Sequence, residues 1–252
     1  MNITLICEDT FDGIMTAIYD GWVLMREGNS IKIHPGLSYE ISFFSEYKEI
    51  KTDERKASQV ASSIRVRISV SAYMAVYRAC MHYDEEKANK ILKFLTVGYR
   101  VGAKVMKMYG EKAVMDMLEL NRKVANEAHL FKGFVRFEEI KGGILYSEIE
   151  PKCNVITLLA YHFEDRFPEE KFIIYDSKRK LSCIHDIGKE TILVVDRDMN
   201  QMTKDLKYSD DYNELWRLFF NTIGIDSRYN PKCQMTQLPK WFRKNMTEFK
   251  GN

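Results

Sequence analysis

The apolar positions of the chain change period twice along its length. Ile3, Leu5 and Cys7 alternate with polar residues, as a half-buried strand requires. Asp9 or Thr10 then stands where a helix cap is expected, and Phe11, Ile14, Met15, Ile18, Trp22 and Met25 recur at helical spacing up to Gly28-Asn29. Ile31 to His34 reads as a short strand ended by Pro35-Gly36. Tyr39 to Phe43 alternates inside a stretch, 37 to 52, that has no clear period. A helical middle follows, with one helix from Thr52 or Asp53 towards Ile68 and a second from Ser71 to Met81. A third runs from Asp84 to about Met108, and a long fourth from Glu111 to Leu130.

From Lys132 the period falls to two. Phe134 to Glu138 and Ile144 to Ile149 flank Lys141-Gly142-Gly143, a hairpin pattern. Asn154 is placed to cap a helix carrying Val155, Leu158, Leu159, His162 and Phe163. A second strand pair, Phe172 to Asp176 and Leu181 to His185, turns through Lys178-Arg179-Lys180, and Thr191 to Val195 is a further strand. Tyr208 to Gly224 reads as a closing helix with Leu215, Trp216, Phe219, Phe220 and Ile223 on one stripe. The segment from Arg228 to Phe249 reads as an irregular tail. The order predicts an α+β fold. An N-terminal β-α-β and helical segment occupies 1–83, and a core of helices with an antiparallel hairpin–helix–hairpin sheet occupies 84–252.

Composition adds bounds. Hydrophobic residues at 45% and charged residues at 29% are those of a folded protein, and no apolar run approaches the roughly 20 residues of a spanning helix. The first residues, Met1 to Glu8, read as a strand and not a leader, so no membrane partner is expected. The five cysteines are widely spaced with no C-x-x-C pair. That pattern argues against a disulfide framework, a thiolate zinc site or an iron–sulfur cluster, and fits a reducing cytoplasm. No metal or other cofactor is expected.

A net charge of +2 is too small to indicate a nucleic-acid partner, so local clustering decides. Lys87, Lys90, Lys93, Arg100, Lys104 and Lys107 follow one another with no acid between them. On a straight helix they share one broad arc spanning about 30 Å, a surface suited to phosphates or simply to water. A second set, His129, Lys132, Arg136, Glu150, Asn154, His162, Arg166, Asp176 and Arg179, gathers around the hairpins. His129 or His162 beside Asp176 would suit general acid–base chemistry, with Arg136 or Arg179 holding phosphate. In the tail, Arg228, Trp241, Arg243 and Lys244 interleave stacking and phosphate-binding types, although aromatics there also serve as anchors to the core. No Walker loop, dinucleotide fingerprint, H-E-x-x-H or G-x-S-x-G is present.

Several runs resemble a bacterial family described as probable DNA metabolism proteins. They are Ala128 to Phe137, Ile149-Glu150-Pro151 with Asn154-Val155, and Ala160-Tyr161-His162-Phe163 with Arg166-Phe167. Ile174-Tyr175-Asp176 with Lys178-Arg179, Trp216 with Phe219-Phe220, Arg228-x-Asn230-Pro231 with Gln234, and Met246 to Phe249 belong to the same likeness. The resemblance implies DNA as a partner and a neighbouring radical-SAM DNA modification or repair protein. In other bacteria it implies fusion to a uracil-DNA-glycosylase-like domain. Thr157 and Tyr161 depart from the family pattern, as does the aromatic–basic order near Trp241. Three readings result: a DNA-binding accessory or repair factor, a nucleic-acid-processing enzyme, or a protein-interaction module that never touches DNA.

Overall fold

A computed structural model describes residues 1–36, 45–195 and 231–249, with Leu215, Leu218, Phe219 and Thr222 as separate helical positions. The expected alternation at Tyr39 to Phe43, most of the helix from Tyr208 to Gly224, and Arg228 lie outside the described residues. By packing, the chain forms two compact units. One comprises residues 1–126 with 152–154, the other 127–151 with 155–252.

The first unit begins as the alternation predicts. β1 (Asn2–Cys7) leads through α1 (Phe11–Arg26) to β2 (Ser30–Pro35), which pairs parallel to β1. The α1 cap is Thr10, whose Oγ1 accepts from the Gly13 amide at 3.0 Å. β3 (Glu46–Glu49) joins the other edge of β1, also parallel. Its sequence, Glu-Tyr-Lys-Glu, has the charge of an exposed edge and no apolar alternation, so the period misses it. α2 (Glu54–Arg67) starts on Asp53, which accepts from the Arg55 and Lys56 amides. α3 (Val70–Cys80) starts on Ser69, not the expected Ser71, because Ser69 Oγ accepts from Ala72 N at 3.1 Å.

α4 spans Lys87–Val101 and does not run on to Met108. Gly102 takes φ 64° and ψ −147°, a conformation essentially confined to glycine, and the chain continues as a 3-10 turn over Gly102–Lys107. Buried Asn89 fastens α4 to β2. Its Oδ1 accepts from Ile33 N at 2.8 Å and its Nδ2 donates to Ile33 O at 3.0 Å. An edge-strand backbone that would lack partners is thereby satisfied. The core of this unit gathers Leu5, Ile14, Ile18, Ile33, Ile64, Phe94 and Leu95, all fully buried.

α5 (Lys112–Phe134) is longer than the expected 111–130, and the division between units falls within it. The Phe134 to Glu138 strand is therefore corrected to β4 (Glu138–Ile140). Phe131 and Phe134, one turn apart, both meet the Phe242 ring edge-on at 4.9 and 5.0 Å, and that packing outweighs the local alternation. β5 (Ile144–Ile149), α6 (Ile156–Arg166), β6 (Lys171–Asp176), β7 (Leu181–His185) and β8 (Ile192–Val195) complete the sheet in the order β4-β5-β6-β7-β8. The hairpins are antiparallel as expected, but β5 and β6 pair in parallel, so the sheet is mixed and not antiparallel throughout. The helix between the hairpins is the reason: a crossover returns the chain to the same end of the sheet. Asn154 does not cap α6. Val155 occupies that position without a side-chain bond, while the Asn154 amide donates to Met81 O. The tail is also more ordered than expected, forming α7 (Pro231–Gln237), the short α8 (Lys240–Arg243) and a 3-10 turn at Thr247–Phe249.

Candidate nucleic-acid interface

Three helices of the first unit enclose a cleft of about 600 Å³. α1 supplies Tyr19, Trp22, Met25 and Arg26; α2 supplies Gln59, Val60, Ser63 and Arg67; α4 supplies Thr96 and Tyr99. On α1 the spacing of Tyr19, Trp22 and Arg26 places them on one helical face. Trp22 and Tyr99 meet edge to face, centroids 5.1 Å apart at 84°, which makes an aromatic corner. The Arg67 guanidinium lies 5.3 Å above the Tyr99 ring. The Tyr99 hydroxyl is buried, with the Ser63 side chain as its polar neighbour. Burial raises its pKa, an effect opposed by neighbouring Ser63 and the Arg67 charge. Among the described residues, no carboxylate lines the cleft.

Beside the cleft the basic row is divided. Lys87 is buried, its ammonium bound to Asp9 and to the His82 carbonyl. Lys90 pairs with Asp84 at 2.6 Å. Lys93 and Arg100 stay exposed on α4, and Lys104 and Lys107 are exposed on the 3-10 turn; none of the four makes an ion pair among the described residues. Thr96, on the lip of the cleft, lies between Lys93 and Arg100 on one face of α4.

In the second unit the expected acid–base residues are not joined by hydrogen bonds among the described residues. Asp176 is fully buried at the end of β6, and its carboxylate accepts from Lys178 N at 3.0 Å, Arg179 N at 3.1 Å and Arg179 Nη1 at 2.9 Å. Arg179 also donates to Pro151 O. This set closes the β6–β7 turn, where Lys180 takes φ 56°. His129 is exposed on α5, and His162 is half-buried on α6 against Phe163. No hydrogen bond joins either histidine to Asp176 among the described residues. Burial lowers the His162 pKa, and the charges of Lys132 and Arg166 lower it further. Arg136 is engaged by Glu248 through Nε and Nη2 and by the Gly133 and Val135 carbonyls. Lys244 is paired with Glu150 at 2.5 Å. Trp241 and Phe242 both pack on Phe131, which makes the tail aromatics anchors.

Among the described residues, no group of His, Cys, Asp and Glu side chains is placed to hold a metal ion. Cys7, Cys80, Cys153 and Cys183 are buried. Burial pushes the thiols of Cys7, Cys80 and Cys183 up to about 12, far from nucleophilic. No described helix is long and apolar enough to cross a membrane.

Residues 85–248 match the family described as domain of unknown function DUF4130, well over half of the chain. The protein belongs to the DUF4130 family. The matched span holds α4, α5, α6 and the mixed sheet of this DUF4130 protein, including the Lys93–Arg100 face. No curated protein matches the chain. A solved structure described as a DHH-domain member of the s1p family of ribosomal proteins superposes with a TM-score of 0.35 and 11% identity over 74% of each chain, too loosely to carry an argument.

The residues that the sequence pattern does not single out are those of the cleft. Trp22 and Met25 fall on what reads as a core stripe, and Tyr19, Gln59, Ser63 and Tyr99 belong to no motif. The available signal is the acid-free Tyr19–Trp22–Arg26 face of α1.

Proposed function

We propose that this DUF4130 protein binds DNA through its phosphates and serves as an accessory factor in DNA metabolism or repair. The observation that carries this reading is the exposed set Lys93, Arg100, Lys104 and Lys107, without ion pairs among the described residues, beside an aromatic cleft whose described lining holds no acid. Cations without internal carboxylate partners keep their full charge for an external anion, and phosphate contact is the principal source of nucleic-acid affinity. The family resemblance adds a cytoplasmic radical-SAM DNA modification or repair protein as working partner. An enzymatic role for His129, His162 and Asp176 has less support, because Asp176 is committed to a turn and shares no hydrogen bond with either histidine among the described residues.

The reading is tested by fluorescence anisotropy with labelled single-stranded and duplex DNA at 50 and 200 mM salt. Wild type is compared with a Lys93→Glu, Arg100→Glu, Lys104→Glu variant. Binding that weakens steeply with salt and is lost in the variant is expected. Binding to no DNA form, or binding indifferent to salt, overturns it.

A further inference from the structure

We infer that the cleft between α1, α2 and α4 takes a single unstacked nucleotide, its base against the Trp22–Tyr99 corner and its phosphate between Arg26 and Arg67. The inference deepens the DNA-binding reading, and it also stands on the chemistry of the cleft alone.

Each part of the ligand follows from the wall it would meet. Two arginines with no carboxylate among the lining residues favour an anion. Tyr19, Trp22 and Tyr99 favour a flat π-system, and the edge-to-face corner presents a ring face and a ring edge to it. Gln59, Ser63 and Thr96 supply donors and acceptors, as a base edge requires.

Size narrows the class. About 600 Å³ lies within the ordinary range of small-ligand sites, roughly 300–1,000 Å³. A duplex keeps its base faces stacked inside the helix and offers only edges, so it cannot put one into the corner. A single strand can. The exposed cations lie where such a strand would run on, since Thr96 is flanked by Lys93 and Arg100 on the same helical face. Another recess, about 420 Å³ beside α6 and β8, is lined by Glu164 and Glu190 with no cation among the described residues, and would repel the same ligand.

The test uses the full chain, a fluorescein-labelled oligo-dT 12-mer, the same strand paired with oligo-dA, and free dTMP followed by quenching of tryptophan fluorescence. Trp22→Ala and Arg67→Glu are compared with Lys93→Glu/Arg100→Glu, all checked by thermal unfolding. Arg67 is exposed, so its variant keeps the question open to measurement if Trp22→Ala unfolds. Both cleft variants are expected to weaken single-strand binding about tenfold while duplex affinity stays within about twofold. The basic-row variant is expected to weaken both. dTMP quenching is expected to disappear in Trp22→Phe. If the basic-row variant loses affinity while the cleft variants bind single strands as wild type does, the nucleotide site is overturned and DNA binding stands. Equal losses on both DNA forms in the cleft variants also overturn it. Trp22-dependent dTMP quenching without binding of either DNA upholds the site and overturns the phosphate-backbone reading. Silence with every probe overturns both.

Discussion

His82 lies 2% exposed, with Nδ1 accepting from the Asp84 amide at 3.0 Å and Nε2 without a partner among the described residues. Burial is the main reason its pKa falls to about 4; Lys123, Lys87 and Lys90 lower it further, and only Asp84 opposes them. The unfolded chain therefore binds this proton between about pH 6.5 and 4 and the folded chain does not. Stability from neutral His82 is complete above about 6.5 and falls as the pH drops towards 4. Urea unfolding at pH 7 and pH 4.5 is expected to show wild type losing on the order of 2 kcal/mol relative to His82→Phe. Parallel profiles for the two proteins would sink the assignment. Asp176 makes a different case, a buried carboxylate held by the donors of its own turn. Asp176→Ala removes one acceptor of the Arg179 guanidinium and the acceptor of two amides, and should cost about 3 kcal/mol in chemical denaturation. His162→Ala should cost less than about 1 kcal/mol. An Asp176→Ala variant as stable as wild type would show that the carboxylate does not hold the β6–β7 turn. The residue types at both places are visible in the chain. What is not visible there is that turn geometry claims the Asp176 carboxylate before any histidine reaches it.

At the scale of elements, Gly102 sets where α4 stops. Its φ of 64° with ψ of −147° admits a Cβ only at a strain of about 1–3 kcal/mol. Gly102→Ala is thus expected to lower stability by about 2 kcal/mol and the melting temperature with it, although alanine is the better helix former. A variant that melts at or above the wild-type temperature would show that the helix simply extends. Most elements were legible because an amphipathic helix or half-buried strand must repeat its apolar residues at a fixed period. β1, α1, α2, β5 and the β6–β7 hairpin all follow from that. The exceptions have physical reasons. β3 is a polar edge, α5 continues because Phe131 and Phe134 find Phe242, and α7 and α8 lack a long repeat. The parallel direction of β5 and β6 is set by the crossover and leaves no mark on the period of either strand.

Over the whole molecule, a net charge of +2 gives little attraction to DNA at a distance, so contact must be local. Four exposed cations on α4 and its 3-10 turn imply a log–log salt slope of about −3 to −4 for duplex binding. Removing Lys93 and Arg100 should bring it to about −2, read by anisotropy between 50 and 200 mM salt. An unchanged slope would move the phosphate contacts elsewhere on the protein. The cleft was illegible at this scale because its walls come from positions 19 to 26, 59 to 67 and 96 to 99, each ordinary in its own helix. The parallel β5–β6 pairing bears on the order in which the second unit is built. The β6–β7 hairpin closes through a tight turn at Lys178 to Lys180, while Ile144 meets Lys171 only after α6 has brought the chain back. Chain-closure entropy is lost before that long-range ladder gives anything in return. The two hairpins are therefore expected to form early and separately, with their joining through β5 and β6 the late, slow event. Until it occurs, the facing edges of both hairpins stand unpaired, and this is the interval in which a newly made chain is most exposed to pairing with another.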